Sequence, residues 1–346
     1  MELLKRALPA LVVSACVPNL DTDESTVVQT RVLAIQAEPA EVTPNGSNAS
    51  RYRALIADAN GVRVDVPVSW FQCLAQKPLA ELGPVSKDCL NTDSGKLVQF
   101  ADGQDVSGVL PSGACSLFGP NPPLPMAGEP AGRPVDPDQS GGYKLPIVAA
   151  VSTEAGQGVT LYEQRIYCGL AGVPPEVSVE FATRYHANAN PSISELRVTR
   201  ASGTSTLAAG QPLELAANER VELELAWPAC PLADVCGDDV CGPEETATSC
   251  GGDCQPAKGC AGQERFMFYD RLRSELVVQR EAMRVAWYAS HGTYEDERTG
   301  AEAESSDNGT RNAFQAPASA LTGTLWMVLR DSRGGVGFRT QPLIVR

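Results

Sequence analysis

The chain spells one pattern of strands and turns twice, and that doubling limits what it can fold into. Arg31-Val-Leu-Ala-Ile-Gln-Ala37 leads into a Pro- and Asn-Gly-rich turn, and Ile193-Ser-Glu-Leu-Arg-Val-Thr199 leads into Leu207-Ala-Ala-Gly-Gln-Pro-Leu213. Val68-Ser-Trp70-Phe has its counterpart in Val285-Ala-Trp287-Tyr, and Tyr143 to Gly156 has its counterpart in Thr324 to Gly335. Short runs of β-forming residues, separated by such turn signals, favour packed sheets over helices.

In immunoglobulin-like sandwiches a Trp on the third strand is buried against the opposite sheet, a position that suits Trp70 and Trp287. Trp326 falls on the penultimate strand of the second copy. The pattern predicts an all-β protein: two tandem Ig-like β-sandwiches, at 31–174 and 175–346, with a small disulfide-rich insertion in the second. Neither copy carries the antibody-type Cys-Trp-Cys spacing. Residues 101–142, rich in Gly, Pro and Asp, read as a long loop pinned by Cys115. Val221-Glu-Leu-Glu-Leu-Ala-Trp227 alternates as a strand, and Glu222 and Glu224 fall on one face, which reads as solvated. The insertion, 230–260, follows it; Phe266 to Arg273 then resumes with a signal that suits either a strand or a helix.

Eleven cysteines leave one over. With Cys16 set aside, ten remain in two even groups: Cys73, Cys89, Cys115 and Cys168, then Cys230, Cys236, Cys241, Cys250, Cys254 and Cys260. That parity predicts disulfides and an oxidising compartment. The insertion has almost no apolar content, so staples rather than a core must hold it. Spacing alone does not choose among the pairings of six cysteines. Asp238, Asp239, Glu244, Glu245 and Asp253 are the candidate calcium ligands, although no Asp-x-Asp-x-Asp-Gly loop is present. Zinc would need the same cysteines in reducing conditions. No other cofactor is expected.

The N-terminus begins with Lys5 and Arg6 and continues in an apolar run that ends Val13-Ser-Ala-Cys16. This reads as a signal peptide over 1–15, too short to span a bilayer. Ser-Ala-Cys16 resembles the lipobox of bacterial lipoproteins, which implies acylation of Cys16 and a lipid-anchored tether over 16–30. Val17, rather than Asp, follows Cys16; by resemblance to the usual sorting rule this implies the outer membrane, at its periplasmic or surface face. Cys236-Gly-Asp-Asp-Val-Cys241, continued to Cys250-Gly-Gly-Asp-Cys254, resembles a short repeat of secreted myxobacterial proteins, with Ala247 where that repeat usually has Cys. Taken together, the chain resembles a cell-envelope lipoprotein of the myxobacterial kind.

A net charge of −14 argues against nucleic acid and against an anionic membrane surface as partners. Gly-x-Ser-x-Gly, His-Glu-x-x-His and phosphate-loop motifs are absent from the sequence, so no enzyme is expected. His186, in a linker, and His291, in a turn after Trp287, read as solvated loop residues. The predicted function is a cell-surface binding or structural module for an unknown protein or polysaccharide. The alternative is an envelope enzyme or an accessory subunit of one, which would gather acids or His291 in a deep cleft.

Overall fold

The computed structural model describes residues 24–78, 80–121, 124, 127–128, 138–154 and 156–346. Cys16, the signal segment and the first part of the expected tether lie outside the described residues. In the first unit the strands are β1 (Arg31–Glu38), β2 (Glu41–Val42), β3 (Ala49–Asp58), β4 (Gly61–Val62), β5 (Val68–Cys73), β6 (Leu97–Asp102), β7 (Asp105–Val109), β8 (Gly142–Thr153) and β9 (Gly156–Tyr167). One sheet places β3 between β1 and β7, with β4 also on β3; the facing sheet runs β2-β9-β8-β5-β6.

The second unit contains β10 (Glu195–Arg200), β11 (Gly203–Leu207), β12 (Leu213–Leu215), β13 (Arg220–Ala226), β14 (Arg265–Asp270), β15 (Glu275–Arg280), β16 (Met283–Ala289), β17 (Thr293–Tyr294), β18 (Arg298–Ala301), β19 (Gly309–Gln315), β20 (Leu321–Asp331) and β21 (Val336–Val345). Its sheets run β11-β10-β13-β19-β17 and β12-β21-β20-β16-β18. In both units a short strand pairs parallel to the last one (β2 with β9, β12 with β21), while the other named pairs are antiparallel. First, second and fifth core strands form one sheet; third, sixth and last form the other. This is the Ig-like arrangement, and it occurs twice.

Trp70 on β5 and Trp287 on β16 are fully buried, each between its own two sheets. Their indole N–H groups donate to the Gly103 carbonyl at 2.6 Å and to Thr299 Oγ1 at 2.8 Å, so burial leaves neither donor unsatisfied. Alternation predicts one wet face per strand, and the first half of β3 obeys it. The second half of β3 does not: Ala54 to Asp58 are all buried. Leu325 to Leu329 on β20 are likewise continuously buried. The cause is a shared wall. Leu325, Met327 and Leu329 face the core of the second unit, whereas Trp326 and Val328 join the core of the first.

The two sandwiches are therefore tandem in sequence but lie side by side, and inverted. The segment before β1 sits at the end of β16, where the Val27 N–H donates to the Ala289 carbonyl at 2.8 Å. β1 finishes beside the start of β21, where Gln36 donates to the Val336 carbonyl at 2.5 Å. Two poles result. The N-terminal pole holds short turns, among them 58–61 and 153–156. The opposite pole, called here the cysteine pole, receives the ends of β5, β7, β9 and β13.

Two expectations need correction, and a third, left open between strand and helix, is decided. Residues 101–142 are not one loop: β6 runs to Asp102, β7 is a full member of the first sheet, and Ala114–Phe118 forms helix α1. Residues 24–30 are not free tether, because Thr26 bridges Ala289, Val27 is fully buried and the Arg31 guanidinium binds the Glu24 carbonyl at 2.6 Å. Phe266 to Asp270 is a strand, paired in a hairpin with β15. A further helix, α2 (Pro175–Arg184), opens the connection between units; Pro175 suits its first turn, where its missing N–H is no loss.

Candidate functional site

The cysteine pole collects the irregular chemistry of the molecule. Five disulfides are placed there: Cys73–Cys89 after β5, Cys115–Cys168 from α1 to the end of β9, and Cys230–Cys260, Cys236–Cys250 and Cys241–Cys254 in the insertion between β13 and β14. No bridge joins the two groups of cysteines. The segment closed by Cys73–Cys89 folds over the outer face of the first unit, where Ala75, Val85 and Val148 form a small second core with Phe71, Leu97 and Leu161.

Beneath these bridges lies a buried charge cluster. Arg333, in the β20–β21 turn, pairs with Glu264 and with Glu281 (2.7 Å), and its guanidinium also reaches the His186 carbonyl at 3.3 Å. Asp331 accepts from the Gly335 and Arg333 amides and from Asn188. Glu41 accepts from Arg165 at 3.0 Å, from Tyr185 and from the Asn188 amide at 2.9 Å. Four carboxylates (Glu41, Glu264, Glu281, Asp331) thus meet two guanidiniums (Arg165, Arg333), all buried.

Burial pushes the Glu264, Glu281 and Asp331 carboxyls up, most strongly at Glu281, against the lowering pull of Arg333. The Tyr185 phenol is pushed up by burial and by Glu41. Arg333 itself is raised: burial alone would lower it, but Glu281 and Glu264 more than offset that. The four carboxylates and two guanidiniums are closed to solvent, so the cluster works as a lock. It ties the linker 185–190 to β2, to the base of the insertion and to the last hairpin. Its members are scattered from Glu41 to Arg333, so no sequence motif exposes them.

The five candidate calcium ligands do not converge. Asp253 is buried and accepts from the Gly237 amide at 2.5 Å and the Asp239 amide at 3.2 Å. Asp239 pairs with Lys258 at 2.7 Å, which holds its carboxyl below the ordinary value. Glu244 pairs with Arg184 at 3.4 Å, Asp238 accepts from the Val240 amide at 3.0 Å, and Glu245 accepts from the Gly242 amide at 3.1 Å. Among the described residues, no three of the five bring ligand oxygens within 4.8 Å of one another. They cap turns and pair with Lys258 of the insertion and Arg184 of α2.

Two other groups do meet that spacing: His186 with Cys241 and Cys254, and Glu245 with Cys236 and Cys250. In both the sulfurs are spent in a disulfide, and a metal needs thiolate. His186 is not the solvated residue expected from sequence. It packs 3.4 Å from the Cys241 sulfur, bonds the Gly242 carbonyl at 2.9 Å, and is lowered chiefly by burial. A shallow depression beside Gly242 is lined by Asp234, Asp238, Glu264 and Arg265. The Asp234 carboxylate pairs with Arg265 at 3.1 Å, and its other oxygen is enclosed against Gly242, where a Cβ would stand 1.8 Å away.

His291 lies at the other pole, where Nδ1 is 3.0 Å from Ser290 Oγ. Ser290 is itself buried and accepts from the Thr324 amide, so its hydroxyl is a turn-former. Glu222 and Glu224 sit on the outer face of the second unit, laddered with Arg311 and Arg197.

No known family model matches the chain, and no curated protein does. Among solved structures, the D0-D1 domain of intimin is similar over 90% of this chain and 98% of its own, with 8% identity and a TM-score of 0.20. Fibronectin(III)-like modules of CbhA from Clostridium thermocellum cover 92% and 94% at 7% identity, TM-score 0.20. The adhesin InvE of Yersinia pseudotuberculosis covers 91% and 58% at 10% identity, TM-score 0.21. At such scores the Ig-like assignment rests on the strand pairing of this chain.

Proposed function

We propose that the protein is a cell-envelope lipoprotein, acylated at Cys16, that stands on the outer membrane and binds a protein or polysaccharide with its cysteine pole. One observation carries this reading. Among the described residues, all five disulfides and the described parts of four long connections (74–96, 110–141, 168–194 and 227–282) lie at the pole opposite Glu24. Loops on a rigid scaffold are the usual carriers of recognition. Disulfide stapling suits an oxidising compartment, and no described helix is long and apolar enough to cross a membrane. His291 and the acids of the insertion stand at opposite poles, which disfavours the enzyme alternative.

Cell fractionation tests the anchor: wild type should pellet with the outer membrane and Cys16→Ser should not. A soluble wild type, or a pelleting variant, defeats it. Binding is tested on arrayed bacterial cell-wall polysaccharides and envelope proteins. A ligand retained by the intact chain should be lost on deletion of Pro231 to Gly259. Retention by the deletion variant would move the site off the cysteine pole.

A further inference from the structure

The N-terminal pole carries a surface that the binding reading leaves unused. Glu24, the first described residue, is held at the body: its amide donates to Glu297 at 3.1 Å and its carbonyl accepts from Arg31. Beside this exit stand Val28, Val62 and Val64, exposed to 68%, 44% and 81%. They share one neighbourhood. Val62 on β4 pairs with Ala57, which pairs with Arg31 on β1, and Arg63 reaches Thr30 Oγ1 at 3.4 Å.

The charges around the valines are engaged with each other. Arg63 pairs with Asp58 (2.9 Å), Asp65 (2.8 Å) and Glu154 (3.3 Å), and Arg298 faces Glu24 at 3.8 Å. One guanidinium here faces three carboxylates, so the surface is apolar at its tips and acidic on balance between them. It is also nearest to the N-terminal segment. Between Cys16 and Glu24 lie residues 17–23, whose contour is at most about 25 Å at ~3.3–3.6 Å per residue.

We propose that this pole, through Val28, Val62 and Val64, rests on the lipid surface; the inference rests on the reading that Cys16 is acylated. Three valines alone would partition weakly. A tether this short raises their effective concentration at the bilayer, so weak apolar contacts are enough to set orientation. Because the charge between the valines is acidic on balance, the contact is with zwitterionic rather than anionic headgroups. The cysteine pole then points away from the membrane.

The test uses the full acylated chain in vesicles of phosphatidylethanolamine and phosphatidylcholine that contain brominated lipid as quencher. A fluorophore is placed on one introduced cysteine, Val64→Cys at the N-terminal pole or Leu272→Cys at the hairpin tip of the cysteine pole. Quenching at position 64 should exceed that at 272 several-fold; equal quenching, or more at 272, overturns the proposal. Adding Val62→Asp should reduce quenching at 64 while the protein still pellets with vesicles. Undiminished quenching removes the valines from the contact. Pelleting of wild type against Cys16→Ser scores the anchor separately. A protein that pellets only when acylated, yet quenches equally at both poles, keeps its anchor and loses this orientation.

Discussion

The two sandwiches share one strand order, but they are not equal partners. The core of the second is its own, built from β10, β12, β13, β16, β19, β20 and β21. The core of the first continues across β1 and β3 into Ala286, Trp326, Val328 and Val336 of the second. The second sandwich therefore supplies a wall that the first requires, while the first gives the second only a cover. A sheet buried on both faces converts two modules into one body with a direction of dependence.

The largest effects should expose that direction. Trp287→Ala empties the second core and should cost about 3–5 kcal/mol, as for other buried aromatics, and it should unfold both units in a single transition. Trp70→Ala should cost about the same but leave a separate, later transition from the second unit. Calorimetry of the two variants decides; a single transition in both would make the dependence mutual.

Arg333→Met should come next, at about 3 kcal/mol or more, because it strands Glu264 and Glu281 without a counter-charge. Its denaturation midpoint should recover partly when Glu281→Gln is added, since one stranded charge is then gone. No recovery would mean that the two groups are not coupled. Removing Cys73 and Cys89 together, which open a link of 16 residues, should cost about 2–3 kcal/mol and act on the first unit only. A matching loss in the second unit would contradict the asymmetry.

The smallest effect is one of pH. Glu264, Glu281 and Asp331 are raised in the folded state, so folding takes up protons. Their contribution is complete below the ordinary carboxylate range and declines as pH rises through their elevated values. Urea midpoints should fall with rising pH, and less steeply in Glu281→Gln, whose amide does not titrate. An unchanged slope would remove Glu281 from the titration.

The sequence made the all-β architecture legible because turn signals and the paired tryptophans repeat at matching places. Disulfides were legible from parity, but their connectivity was not, since spacing carries no information about which ends the strands bring together. Strand β7 was missed because Asp105-Val-Ser-Gly-Val109 buries a single residue and sits among glycines. The docking of Ser25 to Val27 was missed because so short a contact shows no period. The charge cluster was illegible for a deeper reason: Glu and Arg read as surface residues until a fold brings Glu41, Glu264, Glu281, Asp331 and Arg333 together. His186 was misjudged in the same way, because the insertion that covers it begins 44 residues later, at Cys230.

Folding the second sandwich back along the first also sets how tall the molecule stands. Glu24 and Arg346 emerge at the same pole, the latter held by the Leu215 carbonyl at 2.9 Å. The longest strands, β8 and β9, have 12 residues each, or about 40 Å at ~3.3 Å per residue. End-to-end stacking would have doubled that height. The chain instead turns its second sandwich into breadth and stiffness, so that the two poles lie only roughly one sandwich length apart.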